Sequence, residues 1–388
     1  MEVKFTDLVS QWSEAKKGIL SKIGDLVDES SFVRGPSLDA FESNFSKYTN
    51  KQHTIGTSSG TAALISILQG LDLSPGNRVG IQSNTFISTA FAAEHANLEV
   101  VLIDNWKSLL NSPNDLELDC VIPVHMYGYV NTTLMEDLLS WCQINGVILV
   151  EDACQAIGAE SVGTYGVATA YSFYPTKNLG CWGQGGAVTT NNSRLAKFIR
   201  AYINQGQSSK YIHNIVGDNL RLHPIQAIVL NEGLKHIDAW NDSRRNIANI
   251  YLNRLSDLGD VRPLLNPQNS DTVRKEYGKN YVFHLYPLLI DYTYPKVVED
   301  LQQYLSGYDI ETDRNYPFEI ASQKPYRLLY DPTPFAAYIS RHSLSLPIHP
   351  FMNADQANYV CDKLGDWVDA ASAREVRYRN IYTRENIA

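Results

Sequence analysis

AYSFYPTKNLGCWGQGGAV, residues 170–188, decides how the rest of this chain is read. It opens as a β-run over 170–174 and breaks at Pro175. It then offers one lysine, Lys177, and closes on Gly183, Gly185 and Gly186. A lysine just after a strand, followed by glycines that let backbones approach closely, suits a side chain that a bulky ligand must reach. An amine can condense with an aldehyde, and desolvation lowers its pKa enough to make it a nucleophile and a base. Taken alone, a lysine in a Gly-rich loop reads as a surface residue, because lysine is almost always exposed. The flanking sequence has to argue for more.

Working outward toward the N-terminus, short apolar runs alternate with helical patterns. HTIGT (53–57) is a predicted strand, followed by Ser58-Ser59-Gly60-Thr61 and a helix over 62–68. A strand, a small-residue turn and a helix start make an anion site, since free N–H groups and the helix dipole face the turn. Ser59 or Thr61 can equally be read as the helix N-cap. RVGIQ (78–82), EVVLIDN (99–105), CVIPVHMYG (120–128) and GVILVEDA (146–153) are further strands, the last ending in two carboxylates. Helices are expected between them, including one over 134–144. This rhythm implies a largely parallel sheet covered on both faces. Ligands in such sheets gather at the carboxyl ends of strands. That places Ser59 to Thr61, Phe86, His125, Asp152 and Lys177 along one rim, although His125 reads equally well as a packed strand-end histidine. Asp152 by itself reads as a cap or an ion-pair partner.

Before this alternation, residues 7–29 read as one amphipathic helix and 38–48 as a second. After the central stretch, NQGQSSKYIHNIVGDNLRL (204–222) is an exposed polar loop able to reach a partner subunit. A helix starts at Pro224. A long polar helix around 238–245 marks the expected boundary between a large domain, 1–240, and a small domain, 241–388. The latter shows a strand over 281–290, a helix over 296–305 and a last helix after Met352, with Asn353 and Gln356 forming a capping-box-like start. The tail REVRYRNIYTRENIA reads as loosely held.

The chain has 388 residues and a net charge of −9, which argues against binding a phosphate backbone and so against a nucleic-acid partner. Five cysteines, odd in number and without a CxxC pair, read as reduced cytoplasmic thiols rather than disulfides or a metal site. MEVKFTDLVSQWSEAKKG has no apolar signal region, and no run approaches the ~20 apolar residues of a membrane span.

A phosphate-ready helix start, an aromatic, a strand-end aspartate and a lysine on one rim match the needs of pyridoxal phosphate. SSGTAAL (58–64), NTF (84–86), IPVHMYG (122–128), VEDACQAIGA (150–159), YSFYPTKNLG (171–180) and GGAV (185–188) resemble the DegT family of sugar aminotransferases. The loop at 204–222, IQAIVL (225–230), FHLY (283–286) and LSLPIHP (344–350) extend the resemblance over about residues 30–368.

The resemblance implies an α/β enzyme of fold type I. Its large domain would be a three-layer α/β/α unit with a mostly parallel mixed sheet, joined to a smaller C-terminal α+β domain. It implies a homodimer with a shared active site and pyridoxal 5'-phosphate as cofactor. Lys177 would be the Schiff-base lysine and proton carrier. Asp152 would pair with the ring nitrogen, Gln155 with the phenolic oxygen, and Phe86 would stack on the ring. Gly60, Thr61 and Ser172 would hold the phosphate, and Asn219 would reach the phosphate of the other subunit. Tyr174, Tyr211, Asn315 and Tyr316 are candidate substrate contacts.

Glutamate is the implied amino donor. A nucleotide-linked 3-keto-6-deoxy sugar is the implied acceptor, because the stretch around Lys177 is similar to that of enzymes acting at C3. A 4-keto sugar or a smaller keto or aldehyde compound stays open, as does a non-catalytic cofactor-binding protein. Family members that are sugar dehydratases carry histidine in place of the lysine, and Lys177 speaks against that chemistry. Gln184, His223 and Asn315 depart from the family pattern, the last at a position expected to touch substrate.

Overall fold

Period-two alternation turns the apolar strands into a sheet with two buried faces. The structure, a computed structural model, describes residues 1–111, 116–256, 258–265 and 278–385. Eight strands form its centre: β1 (His53–Thr57), β2 (Arg78–Gln82), β3 (Glu99–Ile103), β4 (Cys120–Ile122), β5 (Ile148–Leu149), β6 (Glu151–Asp152), β7 (Thr169–Ser172) and β8 (Gly186–Thr190). Two four-stranded ladders, β3-β2-β4-β5 and β1-β8-β7-β6, meet edge to edge. The seam is the single run 148–152, where a parallel bridge between Val124 and Asp152 continues the pairing. Only the β8 pairings, with β1 and with β7, are antiparallel.

Neighbouring residues of one strand enter opposite cores. Val121 of β4, Tyr171 of β7 and Ala187 of β8 pack against α2 (Lys16–Asp28), α3 (Pro36–Tyr48), α7 (Thr132–Asn145) and α9 (Pro224–Gly233). Ile122, Ala170 and Val188, each one residue away, pack against α4 (Gly60–Gly70), α5 (Ser88–His95) and α8 (Ser193–Tyr202). Local signals fix the helix ends. Pro36 opens α3, and its Phe41 and Phe45 meet Phe173 edge-on at 5.4 and 5.5 Å. The Asn131 side chain caps α7, and Gly146 ends it in the left-handed region.

Helix α10 (Ile237–Leu255) belongs to two cores. Ile237 and Trp240 lie in the sheet-and-helix core, whereas Ile247, Ala248, Tyr251 and Leu255 lie in another. The second core is built on an antiparallel sheet, β11-β12-β13 (Val261–Pro263, Tyr286–Ile290, Ser343–Leu346). Helices Val297–Ser306 and Ala354–Glu385 cover that sheet.

Several expectations are corrected. The helix expected over 7–29 is two helices, α1 (Leu8–Trp12) and α2. The break lets Trp12 lie edge-on between Trp182 and Trp240, each 5.8 Å away. The strand expected over 120–128 stops at Ile122, because residues 126–128 form a 3₁₀ turn with Tyr127 at φ 62°. The strand expected over 281–290 begins at Tyr286. Residues before it bend to give Val282 N–H to Gly128 O and Leu285 N–H to Tyr127 O. The tail is not loose where its side chains are described. Arg374 pairs with Asp300, and buried Glu375 accepts from Thr293 N at 3.0 Å. The capping box at the start of this helix is present, with Asn353 N to Gln356 Oε1 at 3.1 Å and Gln356 N to Asn353 Oδ1 at 2.9 Å. Among the described residues, no helix is long and apolar enough to cross a membrane.

Candidate active site

The strand ends of the central sheet open on a cavity of about 580 Å³. Helix α4 points its N-terminus into it. Ser59 Oγ accepts from Ala62 N at 3.0 Å, so Ser59 is the N-cap, while the amides of Gly60 and Thr61 have no acceptor within the helix. Close packing enforces glycine at two places here, against side chains at Gly60 and against backbone at Gly186. A Cβ on Gly60 would lie 2.7 Å from Cys154 Sγ and 2.8 Å from Ser172 Cβ. A Cβ on Gly186 would lie 2.3 Å from the Ser59 carbonyl carbon. The start of α4 is thus pressed onto β7 and β8, which aims its free amides and positive dipole end at the cavity.

Asp152 lies across from this helix start and is 3% exposed. Its carboxylate is held in place by two donors. Thr89 Oγ1 gives a hydrogen bond of 2.9 Å to Oδ2, and Cys154 N gives one of 3.1 Å to Oδ1. Gln155 is fixed by accepting from Tyr127 N at 2.7 Å through Oε1. Its Nε2 donates to the Tyr316 hydroxyl at 3.2 Å. Phe86, half-exposed, faces the cavity with its ring 5.4 Å from that of Tyr316.

Lys177 brings an amine to the cavity. Burial pushes its pKa down, while Cys154 and Asp152 act in the opposite sense. The amine lies 3.3 Å from His284 Nε2. Burial, and secondarily the cations of Lys177 and Arg244, push the His284 pKa well down, so this imidazole is neutral. Arg244 is also buried and lines the cavity. Its Nη1 donates to Ile348 O at 2.6 Å, and it forms no ion pair among the described residues. Desolvation holds its pKa down at about 9.

Of the residues expected at the site, Gly60, Thr61, Phe86, Asp152, Gln155, Ser172, Tyr174, Lys177, Asn315 and Tyr316 line this one cavity. Asn219 and Tyr211 do not. Asn219 sits beside Asn204 and accepts from Arg221 Nη2 at 2.7 Å, and Tyr211 is 79% exposed on the β9-β10 hairpin (Gln207–Ser209, Ile212–His213). His125, expected on the rim, is instead buried and donates through Nε2 to Glu151 Oε2 at 3.0 Å. Val124, one residue earlier, lines the cavity, so alternation turns His125 to the opposite side, onto Glu151.

Residues that sequence reasoning missed are Thr89, Arg244, His284 and the N-terminal pair Phe5 and Thr6. His284 stood in the quoted FHLY motif without a role. Phe5 gave no signal, because it arrives only through pairing of Val3 N with Asp309 O at 2.8 Å and Phe5 N with Glu311 Oε2 at 2.7 Å.

The residues present fit pyridoxal phosphate. A cradle closed to any Cβ at Gly60 and Gly186 leaves backbone amides for an anion. A carboxylate already held by two donors, an exposed aromatic face and a desolvated amine complete the set.

Comparison with known proteins agrees with this geometry. Residues 14–365 match the DegT/DnrJ/EryC1/StrS aminotransferase family. A Geobacillus stearothermophilus relative named pleiotropic regulatory protein is 31% identical over 382 residues, covering 95% of this chain and 99% of its own. A Streptomyces venezuelae relative named dTDP-3-amino-3,4,6-trideoxy-alpha-D-glucose transaminase is 31% identical over 388 residues, covering 95% and 96%. The crystal structure of NtdA from Bacillus subtilis with bound cofactor PMP has a TM-score of 0.84 at 25% identity, covering 95% of this chain and 85% of that one.

Proposed function

This chain belongs to the DegT/DnrJ/EryC1/StrS aminotransferase family, and from that membership we propose how its residues divide the work of amino transfer. It is a sugar aminotransferase of fold type I that uses pyridoxal phosphate. The finer reading is a glutamate-dependent enzyme acting on a nucleotide-linked 3-keto-6-deoxy sugar. The Streptomyces venezuelae relative, named for a dTDP-3-amino sugar, supports the choice of carbon. A buried guanidinium in the cavity, Arg244, supports a dicarboxylate donor, because a desolvated cation without an ion-pair partner favours an anionic ligand. The presence of Lys177, Asp152 and Gln155 in one cavity favours catalysis over a purely regulatory role.

Bound pyridoxal phosphate supplies an aldehyde and an electron-withdrawing ring. Lys177 Nζ would hold the group through its aldehyde and, as a neutral amine, would carry the proton that amino transfer has to move. Desolvation suits it to that work, since a neutral amine is a base and an ammonium is not. Asp152, oriented by Thr89 and Cys154, would keep the ring nitrogen protonated. Gln155 Nε2 would hold the phenolic oxygen and Phe86 would cover the ring, while Gly60, Thr61 and Ser172 would hold the phosphate. Asn219 and Tyr211, turned away from their own cavity, are assigned to the neighbouring site of a homodimer. Tyr174, Asn315 and Tyr316 line the substrate side. We place the two-domain boundary within α10, where the helix passes from one core to the other. The five unpaired cysteines are in keeping with a cytoplasmic enzyme.

The observation that carries this reading is the desolvated amine of Lys177 in one cavity with a two-donor carboxylate and a free helix N-terminus. A panel of keto-sugar nucleotides incubated with glutamate, read by product mass, tests it. A 3-keto substrate should gain an amino group with release of 2-oxoglutarate. Amination confined to 4-keto sugars or to small keto compounds would refute the assigned acceptor.

The cradle makes a second expectation. Gly186→Ala drives a methyl into the Ser59 backbone, so α4 must move off the sheet. Overpacking of this kind costs about 1–3 kcal/mol. The variant should melt earlier and bind added pyridoxal phosphate at least about tenfold more weakly, as followed by fluorescence titration of the cofactor-free protein. Unchanged affinity would separate the phosphate from this helix start.

A further inference from the structure

Lys177 is followed in sequence by Asn178, and the two side chains meet the same histidine from opposite sides. Lys177 Nζ lies 3.3 Å from His284 Nε2, and Asn178 Oδ1 lies 3.1 Å from His284 Nδ1. The orientation of the Asn178 amide is fixed by its other bonds. Nδ2 donates to Asn241 Oδ1 at 2.7 Å and to Val282 O at 3.0 Å, so the oxygen is the atom turned to the histidine. Asn241 is fixed in turn, because its own Nδ2 donates to Ile157 O at 3.1 Å. An amide oxygen only accepts, so Nδ1 of His284 carries the hydrogen and Nε2 presents a lone pair. All three side chains are buried, with Asn178 4%, Asn241 1% and His284 8% exposed. No water need be invoked to complete the chain.

We propose that His284 is the positioning residue of Lys177: a neutral imidazole, locked as the Nδ1–H tautomer by Asn178 and Asn241, whose Nε2 accepts one N–H of the amine and turns the remaining valences of Nζ into the cavity. The proposal rests on Lys177 being the reactive amine. It involves no proton transfer to the ring. Burial and the neighbouring cations Lys177 and Arg244 keep His284 uncharged, which leaves Nε2 free to accept. The groups facing Lys177 are Asp152 and Cys154, and those facing His284 are Lys177 and Arg244. The physical effect is twofold. An acceptor aimed at Nζ removes the freedom of a four-carbon side chain that must return to one place at each turnover. It also favours the protonated amine, against the desolvation that strips the proton, and so poises Lys177 between the two states.

The test uses the full-length protein depleted of cofactor. Lys177 is dimethylated with formaldehyde and a borohydride reductant across pH, and the modified peptide is quantified by mass. His284→Leu removes the acceptor, so the midpoint of Lys177 reactivity should fall by about one pH unit. His284→Gln keeps an acceptor oxygen within reach, so its midpoint should stay with the parent protein, which separates hydrogen bonding from packing. Nitrogen NMR of the imidazole should show Nε2 unprotonated and Nδ1 protonated, and Asn178→Leu should give a mixture of the two. In the holoenzyme, His284→Leu should lower kcat about tenfold or more with the KM of the sugar unchanged, and His284→Gln should recover part of it. A proton on Nε2 in the parent protein, or a midpoint unmoved in His284→Leu, overturns the proposal. These readouts do not depend on the substrate. A chain that failed to aminate any sugar would leave them standing, and an active enzyme with an unmoved midpoint would leave only His284 without its role.

Discussion

Lys177→Ala should remove turnover by at least about 10³-fold while leaving the fold intact. The side chain is half-buried and its amine, among the described residues, has His284 Nε2 as hydrogen-bond acceptor, so removing it relieves part of a desolvation cost. The lost methylenes border an open cavity, which water can fill, rather than a sealed core. The two effects oppose each other, and stability should change by no more than about 1 kcal/mol. Release of 2-oxoglutarate from glutamate, measured beside a denaturation curve, checks both halves. Lys177→Arg should be as inactive, because a guanidinium keeps its proton and cannot serve as the base. Full activity in either variant would remove the basis of the mechanism.

The largest loss of stability is expected from Glu151→Ala. This carboxylate is fully buried one residue before Asp152. Its Oε1 accepts from Tyr165 N at 2.8 Å and Gly166 N at 2.7 Å, and its Oε2 from Gly163 N at 2.9 Å and His125 Nε2 at 3.0 Å. Truncation strands the buried Gly163 amide and the His125 imidazole and unpairs two half-buried amides, at a cost of about 3–5 kcal/mol. Chemical denaturation measures it, and a loss below about 1 kcal/mol would contradict the assigned role. A pH effect follows from the same contacts. Burial alone would raise the carboxyl pKa, but His125 and the amides of Gly166 and Tyr165 outweigh it and hold the pKa below the ordinary 4.5. A depressed folded-state pKa means that the stabilisation is present above 4.5 and is lost as pH falls through the folded value. Between those limits the parent protein should lose stability with acid, and Glu151→Ala should lose less over the same interval.

The two carboxylates of VEDA show how far local sequence reaches. Both were visible at the end of one apolar run. Alternation places them on opposite faces of a strand, and this is what happens. Asp152 turns to the cavity, and Glu151 turns to the loop 163–166. Nothing in the run itself says which face holds which, because that depends on the layers packed above and below. His125 was open to two readings, on the rim or packed at a strand end, and the same alternation decides it: Val124 faces the cavity, so His125 turns away and packs on Glu151.

What the linear sequence determined here is everything that repeats locally or depends on one residue's chemistry. The alternation of strands and helices, a cap at Ser59 or Thr61 and the Gly60 turn are written in propensities and steric rules that act over a few residues. So is the lysine that follows a strand. Only the tertiary structure could decide the partnerships across the chain: Thr89 on Asp152, Tyr316 on Gln155, His284 on Lys177 and Phe5 at the mouth of the cavity. These contacts join residues 63, 161, 107 and more than 300 positions apart. Such contacts form because burying both sides of the sheet leaves few ways to place the second core, and that long-range packing constraint has no signature in any single stretch of sequence.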